Sequence, residues 1–155
     1  MISFRETSIG RIGIEEKEGC IVSVYFETDA VPHGLEMGET PLIRNAFEQL
    51  EDYLTGRLTG FSLPLRPEGT PFMKNVWMKL CDVPYGHTAS YKDIAAAVGN
   101  PRAVRAVGMA NNRNPIPIFI PCHRIIGSNG KLVGYGGGLE LKQKLLDLER
   151  THGNR

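Results

Sequence analysis

The sequence predicts an α+β protein in two units: a small sheet with one helix over residues 1–69, and a mostly helical unit over residues 70–155. Three observations lead there. Short runs of β-branched and aromatic residues, separated by turn signals, crowd the N-terminal stretch. Behind Thr40-Pro41, apolar residues recur at helical spacing, and the same start repeats at Thr70-Pro71. Between these halves lies the Pro- and Gly-bearing stretch 64–69, and the charge changes sign across it. Residues 1–69 carry six Lys/Arg and twelve Asp/Glu, and residues 70–155 carry twelve and five.

In chain order, Ile2–Arg5, Gly10–Glu15 and Cys20–Phe26 read as strands, with turns at Ser8-Ile9-Gly10 and Lys17-Glu18-Gly19. Asp29–Thr40 reads as a loop. Thr40 caps a helix whose apolar face is Leu42, Ala46, Phe47, Leu50, Tyr53 and Leu54, and Gly56 stops it. Phe61–Leu65 reads as one more short edge strand, the place a sheet tolerates Pro64. In the second unit, Thr70 caps a helix with Phe72, Val76, Trp77 and Leu80 on one face, broken at Pro84-Tyr85-Gly86. Ser90 caps a short helix through Tyr91, Ile94, Ala95 and Val98, ended by Gly99. Asn100-Pro101 opens another over Arg102–Asn111, with Val104, Val107 and Gly108 facing inward. Two short helices joined by a tight Gly-containing turn are similar to a helix-turn-helix. After the glycine-rich run 127–138, Leu139–Glu149 is helical through Leu141, Leu145, Leu146 and Leu148.

Composition narrows the function classes. Apolar residues make up 41% of the 155, enough for a real core. No stretch approaches the ~20 apolar residues of a membrane span, so no membrane partner is expected. No basic-then-apolar leader opens the chain. Three well-separated cysteines (Cys20, Cys81, Cys122) argue against a disulfide framework and for a reducing compartment, the cytoplasm. There is no CxxC and no His pair at ligand spacing, so no metal site is expected. The basic second half points to a polyanion as partner, or simply to a solvated charged face.

The chemistry concentrates at Pro121-Cys122-His123-Arg124-Ile125-Ile126-Gly127. A thiol is a strong nucleophile only as thiolate, and its free pKa is about 8.5, so a nearby cation or base must favour ionisation. His123 and Arg124 are candidates. A lone Cys behind an apolar run is usually a buried structural thiol, so the residue alone favours that reading over catalysis. Neighbours on an extended strand point to opposite faces, but a tight turn would let Cys122 and His123 share one cavity. His123 could relay a proton if a carboxylate held its other nitrogen. On position alone Glu149 and Asp147 serve equally well. Tyr91 reads as packing. Arg105, among Ala103, Val104, Ala106 and Val107, is either a solvent-exposed arginine or one set where another surface can approach closely.

Pro121-Cys122-His123-Arg124 with Asn114-Pro115 upstream, Arg105-Ala106-Val107-Gly108, Pro84-Tyr85-Gly86 with Ser90-Tyr91, and Gly134-Tyr135 with Gly137-Gly138 resembles the O6-alkylguanine-DNA alkyltransferases, over about residues 70–150. The resemblance implies a ribonuclease-H-like N-terminal domain and a C-terminal domain with a winged helix-turn-helix-like DNA-binding motif. It implies irreversible transfer of an alkyl group from O6-methylguanine, and from O4-methylthymine, in DNA to Cys122, once per molecule and without a cofactor. It makes His123 the base, Glu149 the carboxylate that orients it, Asn114 the tether of the active-site turn, and Tyr91 the donor to ring nitrogen 3. Arg105 would fill the stack as the nucleotide flips out. Ala106, Gly108, Tyr91 and Arg113 would line the DNA contact in the minor groove, and Tyr135, Gly136 and Ile125 the base pocket. The partner is double-stranded DNA bearing alkylated guanine, met by a monomer. One departure stands out: Gly136 lies where the family often has serine, so the hydroxyl donor expected there is absent; a backbone N–H could substitute for it, or glycine could widen the pocket for bulkier alkyl groups. The alkyltransferase-like proteins, which lack the acceptor cysteine, match less well because Cys122 is present.

Overall fold

The computed structural model describes residues 1–153 and resolves an α+β chain of two compact units, Met1–Pro67 and a second beginning at Glu68. No helix among the described residues is long and apolar enough to cross a membrane.

The first unit is an antiparallel meander, β1 (Ile2–Thr7), β2 (Gly10–Lys17) and β3 (Cys20–Tyr25), in that spatial order. Both residues of the β2–β3 connection have positive φ, Glu18 at 52° and Gly19 at 78°. That is the geometry of a two-residue primed turn, whose twist matches the strands it joins. Helix α1 (Pro41–Leu54) follows, with the Thr40 hydroxyl accepting from Ile43 N–H at 3.1 Å and Pro41 in its first turn. Ile43, Ala46, Phe47, Leu50 and Tyr53 face the sheet and complete a core with Ile12, Ile14 and Ile21, each at most 1% exposed.

Phe61–Leu65 is not a strand. Only Leu65 bridges to Ile21: Ile21 N–H donates to Pro64 O at 2.8 Å, and Arg66 N–H donates to Ile21 O at 2.9 Å. Pro64 has no N–H to extend the ladder. A matching single rung, Ile2 with Met37, lies on the opposite edge, inside the stretch read as loop. One rung on each side covers backbone groups that an open edge would leave unpaired.

In the second unit, α2 (Pro71–Cys81) starts at its Thr70 cap and buries Val76, Trp77 and Leu80. Trp77 Nε1 donates to the Ala110 carbonyl at 2.8 Å. β4 (Ala89–Ser90) leads into α3 (Tyr91–Ala97), where Ser90 and Asp93 form a capping box, each side chain bonding the other's backbone N–H. Helix α4 (Val104–Asn112) begins two residues later than the spacing suggested. Asn100-Pro101 makes a turn instead, closed by Ala103 N–H on Asn100 O at 3.0 Å. β5 (Ile125–Ile126) pairs with β4 in parallel, and α5 (Leu139–Gly153) runs beyond the expected Glu149. The leucine stripe read for α5 is shifted: Lys142, Leu145, Leu146 and Glu149 are buried, while Leu141 and Leu148 are half-buried.

Candidate active site

Cys122 opens a 3-10 turn, Cys122–Arg124, set between Pro121 and β5. Pro121 bends the chain so that Cys122 N–H bonds back to Ile120 O at 2.8 Å, and Arg124 N–H closes the turn on Pro121 O at 3.1 Å. The thiol and imidazole are thus consecutive residues of a turn rather than of an extended strand. Asn114 holds the approach segment at two points. Its Nδ2 donates to Ile120 O at 2.9 Å and its Oδ1 accepts from Ile116 N–H at 3.0 Å. Between them Ile118 has φ +74°, a left-handed backbone rare for a β-branched residue, and its side chain is buried.

His123 and Glu149 are 0% and 1% exposed, with His123 Nε2 2.6 Å from Glu149 Oε2. Glu149 accepts from His123, from Arg124 Nε at 2.8 Å and Nη2 at 3.1 Å, and from the Gly86 backbone N–H at 3.1 Å. Burial alone would raise its pKa. Hydrogen bonds from His123 and charge-assisted bonds from Arg124 outweigh that and hold it down at about 2. Burial pushes His123 downward despite the carboxylate beside it. A neutral imidazole facing an ionised carboxylate must donate from Nε2, which makes Nδ1 the lone-pair nitrogen. Asp147 sits elsewhere, exposed, accepting from Gln143 at 2.8 Å.

Arg124 is not the thiol's cation. Its guanidinium is spent on Glu149 and on the Val83 carbonyl, 2.8 Å from Nη1. The cation that favours the Cys122 thiolate is Lys142, which spacing did not single out. Lys142 is 0% exposed, and its Nζ donates to the carbonyls of Val133 at 3.0 Å and Gly134 at 3.4 Å. Burial lowers it to about 8, against the pull of Cys122. The thiol itself is 4% exposed. Burial drives it up to about 11, with Asn114, Lys142 and its own backbone N–H working the other way. Its resting form is therefore the thiol, and attack needs a proton acceptor at the moment of reaction. One signal could have found Lys142: it lies seven residues before Glu149, two helical turns, on the stripe that Leu145 and Leu146 complete.

Tyr91, half-buried at the start of α3, donates its hydroxyl to Val133 O at 3.0 Å, the carbonyl Lys142 also holds. Burial raises its pKa, Cys122 adds to the rise, and the Asn111 amide opposes it. Asn111, 3% exposed and also missed, reaches the Cys122 carbonyl at 3.5 Å. Gly108 lies against the Tyr91 ring, where an added Cβ would come within 3.9 Å. Arg105, Ala106 and Arg113 are exposed along α4 and at its C-cap, apart from the buried cluster. Ile125 is buried in β5, Tyr135 is half-buried, and Gly136 is exposed with open space where a Cβ would be. Among the described residues no group of three or more His, Cys, Asp or Glu side chains could hold a metal ion.

Comparison with known proteins joins both units to one family. Residues 71–151 match the 6-O-methylguanine DNA methyltransferase DNA-binding domain, and residues 2–67 match the ribonuclease-like domain of the same proteins. The constitutive methylated-DNA–protein-cysteine methyltransferase of Bacillus subtilis is 47% identical over 152 residues, covering 94% of this chain and 92% of that one. The Methanosarcina barkeri protein of that name is 60% identical over 109 residues, 70% of this chain and 69% of its own. Among solved structures, Mycobacterium tuberculosis OGT in complex with DNA superposes with a TM-score of 0.90 at 38% identity, covering 97% of this chain and 93% of that one. With a buried cysteine and histidine in one turn and a buried glutamate facing them from α5, all within the matched DNA-binding domain, the chain belongs to the methylated-DNA–protein-cysteine methyltransferase family.

Proposed function

We propose that this chain repairs alkylated DNA directly, taking the alkyl group of O6-alkylguanine onto the sulfur of its own Cys122. The observation that carries the reading is the 2.6 Å contact of His123 with Glu149 in the turn that begins at Cys122. The thiol proton passes to His123 Nδ1, directly or through one water, while Glu149 and Arg124 steady the imidazolium that forms. The sulfur–carbon bond forms as the carbon–oxygen bond breaks, and the bond pair returns to the guanine ring. Tyr91 exchanges its bond to Val133 O for one to ring nitrogen 3 and supplies the proton that lets guanine leave neutral, and the His123 imidazolium returns the thiol proton to the Tyr91 phenolate through solvent. Net, the thiol hydrogen replaces the alkyl group on guanine. The product thioether holds no good leaving group, so each molecule acts once.

The target carbon is out of reach of a buried sulfur while its base is stacked, so the nucleotide must flip. The exposed face of α4 supports docking on double-stranded DNA in the minor groove, with Arg105 filling the vacated stack and Ala106, Gly108 and Arg113 along the contact. Tyr135, Gly136 and Ile125 line the base pocket, Asn114 tethers the turn, and the protein works as a cytoplasmic monomer.

Incubation with duplex carrying labelled O6-methylguanine tests this. Label should reach Cys122 at no more than one per molecule, and a Cys122→Ala variant should take none. Repeated turnover, transfer to the variant, or tight binding with no mass gain on Cys122 would overturn it.

A further inference from the structure

Helix α4 presents one continuous exposed face: Arg105, Ala106, Met109, Asn112 and Arg113 at its C-cap. Val107, Ala110 and Asn111 are buried on the other side. At about 100° per residue, Met109 falls in the middle of the exposed arc, with Arg105 and Asn112 to one side and Ala106 and Arg113 to the other. It is 56% exposed. A lone exposed hydrophobic residue is ordinary on a protein surface. Its position is what matters here, because every residue around it on that face is cationic, small or a neutral amide. The helix carries no acid, and Arg102 lies exposed just ahead of it.

We propose that Met109 is the apolar centre of the DNA contact, inserted into the minor groove beside Arg105, where it packs on sugar walls and base edges. The inference rests on the reading that α4 docks in that groove. An unbranched thioether suits the task. It is narrow and polarisable and adjusts its three rotatable bonds to the groove it meets. Minor-groove proteins use apolar wedges of this kind to hold a step open. A wedge at Met109 would sit one helical turn from Arg105 and help to prop the step from which the nucleotide leaves. Arg102 and Arg113 would then supply the attraction to phosphate while Arg105 enters the stack, and Met109 a contact indifferent to salt.

Oxidation footprinting on the intact chain tests this. Met37 and Met78, each 64% exposed and off this helix, are internal controls. Saturating methylated duplex should slow sulfoxide formation at Met109 about tenfold or more while leaving Met37 and Met78 unchanged. Met109→Ala should weaken duplex binding roughly tenfold, the loss expected for one apolar side chain taken out of contact. Its salt dependence should keep the wild-type slope, because no charge is lost, and its reaction with free O6-methylguanine base should match wild type. Undiminished oxidation of Met109 on saturated DNA, or equal losses on duplex and free base, would overturn the proposal while methyl transfer to Cys122 continued. Absence of transfer in the wild type would instead remove the functional reading, and this one with it.

Discussion

Replacing Glu149 by Gln probes the buried network through its pH dependence. In the folded chain the carboxylate accepts hydrogen bonds from His123, Arg124 and Gly86, and its pKa falls to about 2 from a usual value near 4.5. Each pKa unit is worth ~1.4 kcal/mol, so ionised Glu149 contributes about 3 kcal/mol. The direction follows from proton counts. Between pH 4.5 and 2 the unfolded chain binds a proton at this site that the folded chain excludes. The contribution is therefore complete above about pH 4.5 and is lost as pH falls through the folded value. The amide of the Glu149→Gln variant cannot ionise, and at neutral pH it leaves Arg124 buried without its counter-charge, a loss of about 3–5 kcal/mol. Urea unfolding followed by fluorescence of Trp77, the only tryptophan, reports on this unit. The wild-type advantage should be large at pH 7 and shrink by about 3 kcal/mol on approaching pH 2. Every other carboxylate is common to both proteins and cancels in the difference. Stability curves that stay parallel across that window would refute the reasoning.

Lys142→Met removes the cation that favours the Cys122 thiolate, so titration of thiolate absorbance should move Cys122 to still higher pH, and an unmoved curve would break the electrostatic link. Gly134→Ala should cost about 1–2 kcal/mol, because Gly134 has φ +57° and a Cβ there would sit 2.8 Å from Asn112 Oδ1. Gly136→Ser should shift stability by less than about 0.5 kcal/mol, since its Cβ would meet nothing within 4 Å; thermal melts compare the two. Arg105→Ala should slow methyl transfer from duplex at least ~10-fold more than transfer from free base, and equal losses would exclude a part in flipping.

Helix starts were legible because their chemistry is local. Thr40, Thr70 and Ser90 each cap through a bond to a backbone N–H three residues on. The start of α4 was misplaced because Pro101, a good first helical residue in isolation, sits in a turn closed by Asn100. Phe61–Leu65 looked like a strand because alternation shows that a segment can pair, not how many rungs a proline leaves it. The reactive turn was found from its residue types, but its wiring was not. Arg124 reaches Val83, 41 residues back, and Glu149 reaches Gly86, 63 residues back. Neither distance leaves a periodic trace. Lys142 escaped because charged residues seldom take core positions of a helix; here the carbonyls of Val133 and Gly134 make it tolerable. Glu149 and Asp147 were left equal on position and separated by the resemblance, yet Glu149 lies four and three residues beyond Leu145 and Leu146 on their face while Asp147 falls on the opposite one.

Ile118 joins two demands that no single substitution satisfies. Its left-handed backbone costs on the order of 1–3 kcal/mol, which glycine would relieve, yet its buried side chain fills space that glycine would empty. The segment leading to Cys122 is therefore held by the packing around Ile118 and not by its own backbone preference. The sulfur of Cys122, 4% exposed, is sheltered only while that packing holds. A substitution far from the reacting atoms that loosened the packing around Ile118 would therefore reach the chemistry through the backbone of the approach segment rather than through any group that touches the sulfur.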